Sequence, residues 1–123
     1  MFQYNGQIMR WVDGDTVWLD LDLGFHTHMQ VDVRLAHVNA PDILNFGLTG
    51  LVDRALEYCT MMLPAGACLV ADITRTDKYG RWLARIRYLQ GCTEWQKILD
   101  QGKYLNDELL SRGLVRAYEG GKK

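Results

Sequence analysis

Asp13-Gly14-Asp15 sets two carboxylates two positions apart across a glycine, and Arg75, Lys78, Arg81, Arg85 and Arg87 follow between positions 75 and 87 with Asp77 the only acid among them. The other acids near the first pair are Asp20, Asp22 and Asp32. An acidic cluster separated from a basic strip suits a chain that holds a cation on one side and phosphate on the other. Phosphodiester cleavage needs those parts: a metal to neutralise phosphate charge, an activated water, and fixed cations around the equatorial oxygens. On composition alone a solvated charged surface accounts for both clusters more simply, and Asp-Gly-Asp on its own is a hairpin turn.

Other chemistries find less support. Ser111 is the only serine and falls inside a predicted helix, which argues against a serine nucleophile. His26 and His28 stand two apart and His37 is the third histidine, but no further ligand set accompanies them. Cys59, Cys68 and Cys92 are an odd count without a CxxC pair, so they read as reduced thiols rather than a disulfide framework or a zinc site. Trp11, Trp18, Trp82 and Trp95 fit core or rim packing.

The elements that must position these residues read as one domain over 1–118, with 119–123 a frayed tail; 123 residues leave little room for a second domain. Val17, Leu19, Leu21 and Leu23 alternate with polar or aromatic residues, as do Met29, Val31, Val33 and Leu35, which predicts two half-buried strands. Gln7 to Val12 forms the strand before them, turned at Asp13-Gly14. Residues 39–50 read as a loop. A helix then runs from a Thr49 cap, with Leu51, Ala55, Cys59 and Met62 on its apolar stripe, to a stop at Pro64 and Gly66. Ala67 to Arg75 and Trp82 to Leu89 are two more strands. Residues 91–102 fit either a helical turn or a hairpin. Asn106 caps a last helix, with Leu105 and Leu110 as its hydrophobic staple and Gly113 at its end. Five short strands with a helix between the third and fourth match the OB layout, a small Greek-key barrel.

Four segments carry a family resemblance: Asp13-Gly14-Asp15-Thr16-Val17; Val33 to Asp42, reading VRLAHVNAPD; Thr76 to Ala84, reading TDKYGRWLA; and Leu105 to Leu114, reading LNDELLSRGL. In this order, spanning about positions 7 to 118, they resemble the blocks of the staphylococcal nuclease (thermonuclease) family. The resemblance implies a mainly β fold with α, a five-stranded OB-type barrel with two or three packed helices. It also implies a Ca2+-dependent endonuclease cutting the 5′-oxygen–phosphorus bond of DNA, RNA or both, single-stranded or loosely paired. Asp15 is then a direct metal ligand and Asp13 a nearby or water-mediated acid. Asn39 and the backbone carbonyl of Ala40 supply further oxygens to the cation. Asp42 orients or activates the attacking water, and Arg34 and Arg81 hold the phosphate, which suits the planar fork of a guanidinium. Lys78 and Tyr79 match residues that contact a terminal phosphate, and Tyr118, at looser spacing, a residue that stacks on a base.

This chain departs from the family at two of those positions. Asn39 stands where the family usually has Asp, and Asp42 where it has Glu. Asn still offers an oxygen to a hard cation but removes one negative charge. Asp is shorter than Glu by one methylene, about 1.5 Å, and a misplacement of about 1 Å can cost on the order of 100-fold in rate. The departures keep a second reading open, a weakened or inactive nuclease-like module that binds nucleic acid or protein. A third, an OB module for single strands, predicts aromatics along one groove and indifference to metal. The net charge of −1 counts mildly against nucleic acid. With neither a signal peptide nor an apolar stretch of membrane-spanning length, the expectation is a cytoplasmic monomer without a membrane partner.

Overall fold

The computed structural model describes residues 2–39, 54–76 and 80–117. Strands β1 (Phe2–Asp13), β2 (Thr16–Gly24) and β3 (Thr27–Leu35) form an antiparallel meander. A two-residue strand β4 (Val38–Asn39) follows, then helix α1 (Arg54–Met62). Strands β5 (Cys68–Thr76) and β6 (Trp82–Tyr88) come next, then α2 (Trp95–Gln101), β7 (Lys103–Tyr104), α3 (Leu105–Ser111) and β8 (Arg116–Ala117).

The sheet order is β3-β2-β1-β5-β6, and β6 returns to pair in parallel with β3 through Val33–Trp82, Arg34–Leu83 and Leu35–Ala84. That last pairing closes a five-stranded OB-type barrel. Closure requires the long first strand to serve two neighbours. Its first half, Phe2–Gln7, pairs with β5 and Asn5–Asp13 pairs with β2, with register shifts between Ile8 and Arg10 and between Trp11 and Asp13. Such irregularities bend a strand and raise its twist, as a small barrel demands. β1 is longer than the Gln7–Val12 segment expected, because Phe2–Asn5 is recruited by main-chain pairing to β5.

The expected alternation supplies the core. Val17, Leu19 and Leu21 of β2 and Val31, Val33 and Leu35 of β3 point into the barrel with Ile8, Leu69, Ala71, Ile73, Ala84 and Ile86. Leu23 and Met29 break the pattern. They are exposed because the β2–β3 hairpin runs past the end of the barrel, ending in Phe25 and His26 at positive φ. The one-sided core therefore stops at Leu21 and Val31.

Helix α1 packs Ala55, Cys59 and, just beyond it, Leu63 onto the barrel; the Trp11 indole N–H donates to the Leu63 carbonyl at 2.9 Å. The expected Thr49 cap lies outside the described residues. The 91–102 segment is helical: Ile98 of α2 is buried against Cys68 and Val70 on the outer face of β5. β5 is thus covered on both faces, which accounts for its unbroken apolar run Cys68-Leu69-Val70-Ala71. Cys59 and Cys68 are buried, and none of the three cysteines is in a disulfide.

Asn106 does not cap α3. The helix starts at Leu105 with Tyr104 as the cap position, and the Asn106 side chain is buried inside it. Its Oδ1 accepts from the Ile86 N–H at 3.0 Å, and its Nδ2 donates to the carbonyls of Ala36 (2.9 Å) and Ala84 (3.1 Å). The satisfaction of buried backbone groups outweighs the usual preference of Asn for a helix start. No helix among the described residues is long and apolar enough to cross a membrane.

Candidate active site

Asp15 is set by a two-residue turn. Asp13 and Thr16 are register partners, so Gly14 and Asp15 are the loop, and the Asp15 N–H donates to Asp13 Oδ1 at 3.0 Å. This side-chain-closed turn gives Asp13 a structural task as well as its negative charge. The Asp15 carbonyl accepts from the Leu35 N–H at 2.8 Å, which ties the turn to the end of β3. The Asp15 backbone is therefore anchored from both sides.

Arg34 reaches the same point because it pairs with Thr16 across β2–β3. It is 7% exposed, with Nη2 3.6 Å from Asp15 Oδ2. Although it alternates with the inward Val33 and Leu35, Arg34 is itself buried at the barrel end. A buried guanidinium needs a carboxylate or phosphate partner, because an isolated charge is costly to desolvate. Arg81 arrives by the parallel seam. Gly80 holds φ of +85°, a value few side chains tolerate, and turns the chain into β6 immediately before Trp82 pairs with Val33. Arg81 Nη1 then donates to Thr16 Oγ1 at 3.4 Å, while the Thr16 hydroxyl donates to Asp15 Oδ1 at 3.2 Å.

Asp15, Arg34 and Arg81 are therefore brought to one end of the barrel, joined through Thr16. Thr16 was not singled out in the sequence, and Asn106 was expected there only as a helix cap. Thr16 stood within the first motif block, so a signal was present. Asn106 is a positioning residue: it stitches β6 to Ala36 beside the direct Ala36 N–H to Ala84 carbonyl bond of 2.8 Å. That seam sets Arg34 against Arg81.

Helix α3, which carries Asn106, is itself anchored by charge. Glu108 accepts from the buried Tyr88 hydroxyl and pairs with Lys103 Nζ at 2.7 Å. Burial alone would raise the Glu108 carboxyl, but the hydrogen bonds from Lys103 and Tyr88 and the Lys103 charge outweigh it and hold the pKa below the usual value. The Tyr88 hydroxyl is pushed far up by its burial first and by Glu108 second.

The wider charge clusters resolve differently from the sequence expectation. Asp20, Asp22 and Asp32 lie on the outer face of the β2–β3 hairpin, with Asp22 at the end remote from Thr16. Arg85 pairs with Asp107 at 2.8 Å, and Arg87 lies 3.7 Å from the buried Asp72, both packed on the Tyr104 ring. Of Arg81, Arg85 and Arg87, only Arg81 belongs to the Asp15 end. Arg85 and Arg87 are thus matched to carboxylates locally, which linear clustering does not show.

β4 leaves the same barrel end through His37, whose φ of 67° is strained for a non-glycine residue. Asn39 is placed by backbone pairing to Arg116 of β8. Ala40, Asp42, Lys78, Tyr79 and Tyr118 lie outside the described residues. The donors in place, the Asp15 carboxylate and the Thr16 hydroxyl, are hard oxygens, which fits a cation such as Ca2+ and not a soft metal. Among the described residues no group of three or more His, Cys, Asp or Glu forms a metal cluster, and His28 instead sits 3.4 Å from Asp20. No protein-family model and no curated protein matches the chain.

Proposed function

We propose that the chain is a Ca2+-dependent nuclease that hydrolyses phosphodiester bonds of DNA, RNA or both, as its resemblance to the staphylococcal nuclease family implies. One observation carries this reading: Asp15, Arg34 and Arg81, distant in sequence, meet around Thr16 at one end of an OB-type barrel. A module freed from catalysis has no need to keep a carboxylate and two guanidinium groups converging on one point, one of them buried.

In this reading Asp15, Asn39 and the Ala40 carbonyl hold the cation, with Asp13 beside them. When bound, Ca2+ supplies positive charge against the phosphate and favours ionisation of water. Asp42 takes the proton of the attacking water. The water oxygen bonds to phosphorus in line with the departing 5′-oxygen, which leaves as its bond breaks and takes up a proton from solvent. Arg34 and Arg81 donate to the equatorial oxygens, where charge grows in the transition state. The Asp15–Arg34 separation of 3.6 Å is longer than a charge-assisted hydrogen bond, so a phosphate oxygen competes for the guanidinium at modest cost.

The second reading, a nuclease-like module that binds nucleic acid or protein without cutting, is favoured by Asn39 and Asp42. Calorimetric titration of Ca2+ into the wild type and Asp15→Ala tests the assignment. Loss of both Ca2+ binding and cleavage in a folded Asp15→Ala chain is expected, and unchanged Ca2+ affinity would remove Asp15 from the site.

A further inference from the structure

Helix α1 and the segment after α3 leave a cavity of about 310 Å3 between them, lined by Arg54, Glu57, Tyr58, Met61, Arg112 and Leu114. Two guanidinium groups share it with a single carboxylate in a chain whose net charge is −1. Among the described residues neither Arg54 nor Arg112 is ion-paired, whereas Arg34, Arg85 and Arg87 are each matched to an Asp. The Arg112 guanidinium instead lies 4.9 Å from the centre of the Tyr58 ring. That contact orders the group through its face and leaves the in-plane N–H donors for a ligand. Met61 is 64% exposed, so the cavity also offers an apolar wall to water. Two cations beside an apolar wall in one concavity match the chemistry of a nucleotide, phosphate on the arginines and sugar or base on Met61, Leu114 and Tyr58.

The cavity also lies near the proposed site. Leu114 on its wall is two residues before Arg116, at most about 7 Å of backbone, and Arg116 stands opposite Asn39 in the β4–β8 pair. An OB barrel engages about 4–16 nucleotides. A strand that reaches Asn39 therefore extends beyond it.

Resting on the nuclease reading for its substrate class, we propose that the α1–α3 cavity is a subsite for a flanking nucleotide. Arg54 and Arg112 hold a backbone phosphate outside the linkage that is cut, and Glu57 tempers their charge so that the strand can leave. A single strand gains about 0.7 counterion per phosphate neutralised, so losing this contact weakens binding roughly fivefold at 0.1 M salt.

The test is fluorescence anisotropy of a labelled single-stranded 12-mer across a salt series, with Ca2+ and with chelator. Arg54→Ala/Arg112→Ala is expected to bind about fivefold more weakly with a salt slope smaller by about 0.7. Arg54→Lys/Arg112→Lys retains the slope, and Glu57→Gln binds more tightly than wild type. Cleavage of a dinucleotide, too short to reach the cavity, is unchanged in the double-Ala variant. Wild-type affinity and slope in that variant overturn the proposal, as does a wild-type chain that does not bind the 12-mer. Saturation of the cavity by thymidine monophosphate at concentrations below those needed for the 12-mer would make it a free-nucleotide site and overturn the strand assignment. A wild type that binds but does not cut, with the double-Ala loss intact, upholds the subsite and removes the nuclease reading alone.

Discussion

Replacing Asn106 by Ala removes the clamp at the seam that closes the barrel. Three hydrogen bonds are lost, but their costs differ. The Ala84 carbonyl keeps the Ala36 N–H at 2.8 Å, so its loss is small. The Ile86 N–H, accepted by Asn106 at 3.0 Å inside the core, has no water to replace its partner. An unsatisfied buried donor costs about 1–3 kcal/mol. Loss of the donor to the Ala36 carbonyl and the small void left by the amide bring the total to about 3 kcal/mol. For a chain of 123 residues, with about 2.1 cal/mol/K of unfolding entropy per residue, that lowers Tm by about 12 °C. Urea titration followed by tryptophan fluorescence measures it. Asn106→Asp is expected to be at least as damaging, since it keeps the acceptor for Ile86 but turns a carboxylate toward two carbonyls. Because the seam aligns Arg34 with Arg81, nuclease turnover should fall in Asn106→Ala even where the variant is fully folded. A change in stability under about 0.5 kcal/mol, the level of an ordinary surface substitution, would refute the clamp.

Arg34→Lys and Arg81→Lys are each expected to lower kcat more than they raise KM, by roughly 10- to 100-fold, because an ammonium cannot make the two-pronged contact to a phosphate; wild-type kinetics would return both arginines to structural pairing. The Glu108 pKa is lowered on folding. The unfolded chain therefore binds the proton more readily, and this stabilisation is present above the ordinary Glu value and lost as pH falls through the folded one. Stability measured from pH 7 down to pH 3 should fall less steeply in Glu108→Gln than in wild type, and parallel curves would remove Glu108 from the acid response.

The barrel was legible wherever one strand face is buried. The alternation of Val17, Leu19 and Leu21 with Trp18 and Asp20, and of Val31, Val33 and Leu35 with Asp32 and Arg34, set both strands and their inward faces. The same pattern continued to Leu23 and Met29, where the hairpin has left the barrel; periodicity records what a strand could bury, not whether anything lies beneath it. Residues 91–102 remained two-sided because their own pattern is short. The cue lay elsewhere, in the unbroken apolar run Cys68–Ala71, which needs a cover on both faces. At the site, the motif blocks brought Asp15, Arg34 and Arg81 forward. The hydroxyl of Thr16 that links them, and the amide of Asn106 that secures their seam, depend on contacts between residues 65 and 70 positions apart. No local propensity encodes such contacts. The charge clusters misled for the converse reason. Strand residues of like sign that are neighbours in sequence face outward and find partners on other elements, as Arg85 does with Asp107 of α3.

Digestion of single-stranded DNA by the wild type, with Ca2+ and with chelator, bears most directly on the central claim. Asn39→Asp and Asp42→Glu run beside it, because they restore the charge and the methylene by which this chain departs from the family it resembles. Cleavage by the wild type that chelator abolishes is expected, with tighter Ca2+ binding in Asn39→Asp. Turnover should change in Asp42→Glu, upward by as much as about 100-fold if the shorter acid is misplaced by about 1 Å, or downward if the surrounding chain has adapted to it. Absence of metal-dependent cleavage by all three proteins, with nucleic-acid or protein binding retained, would contradict the account and leave a binding module in its place.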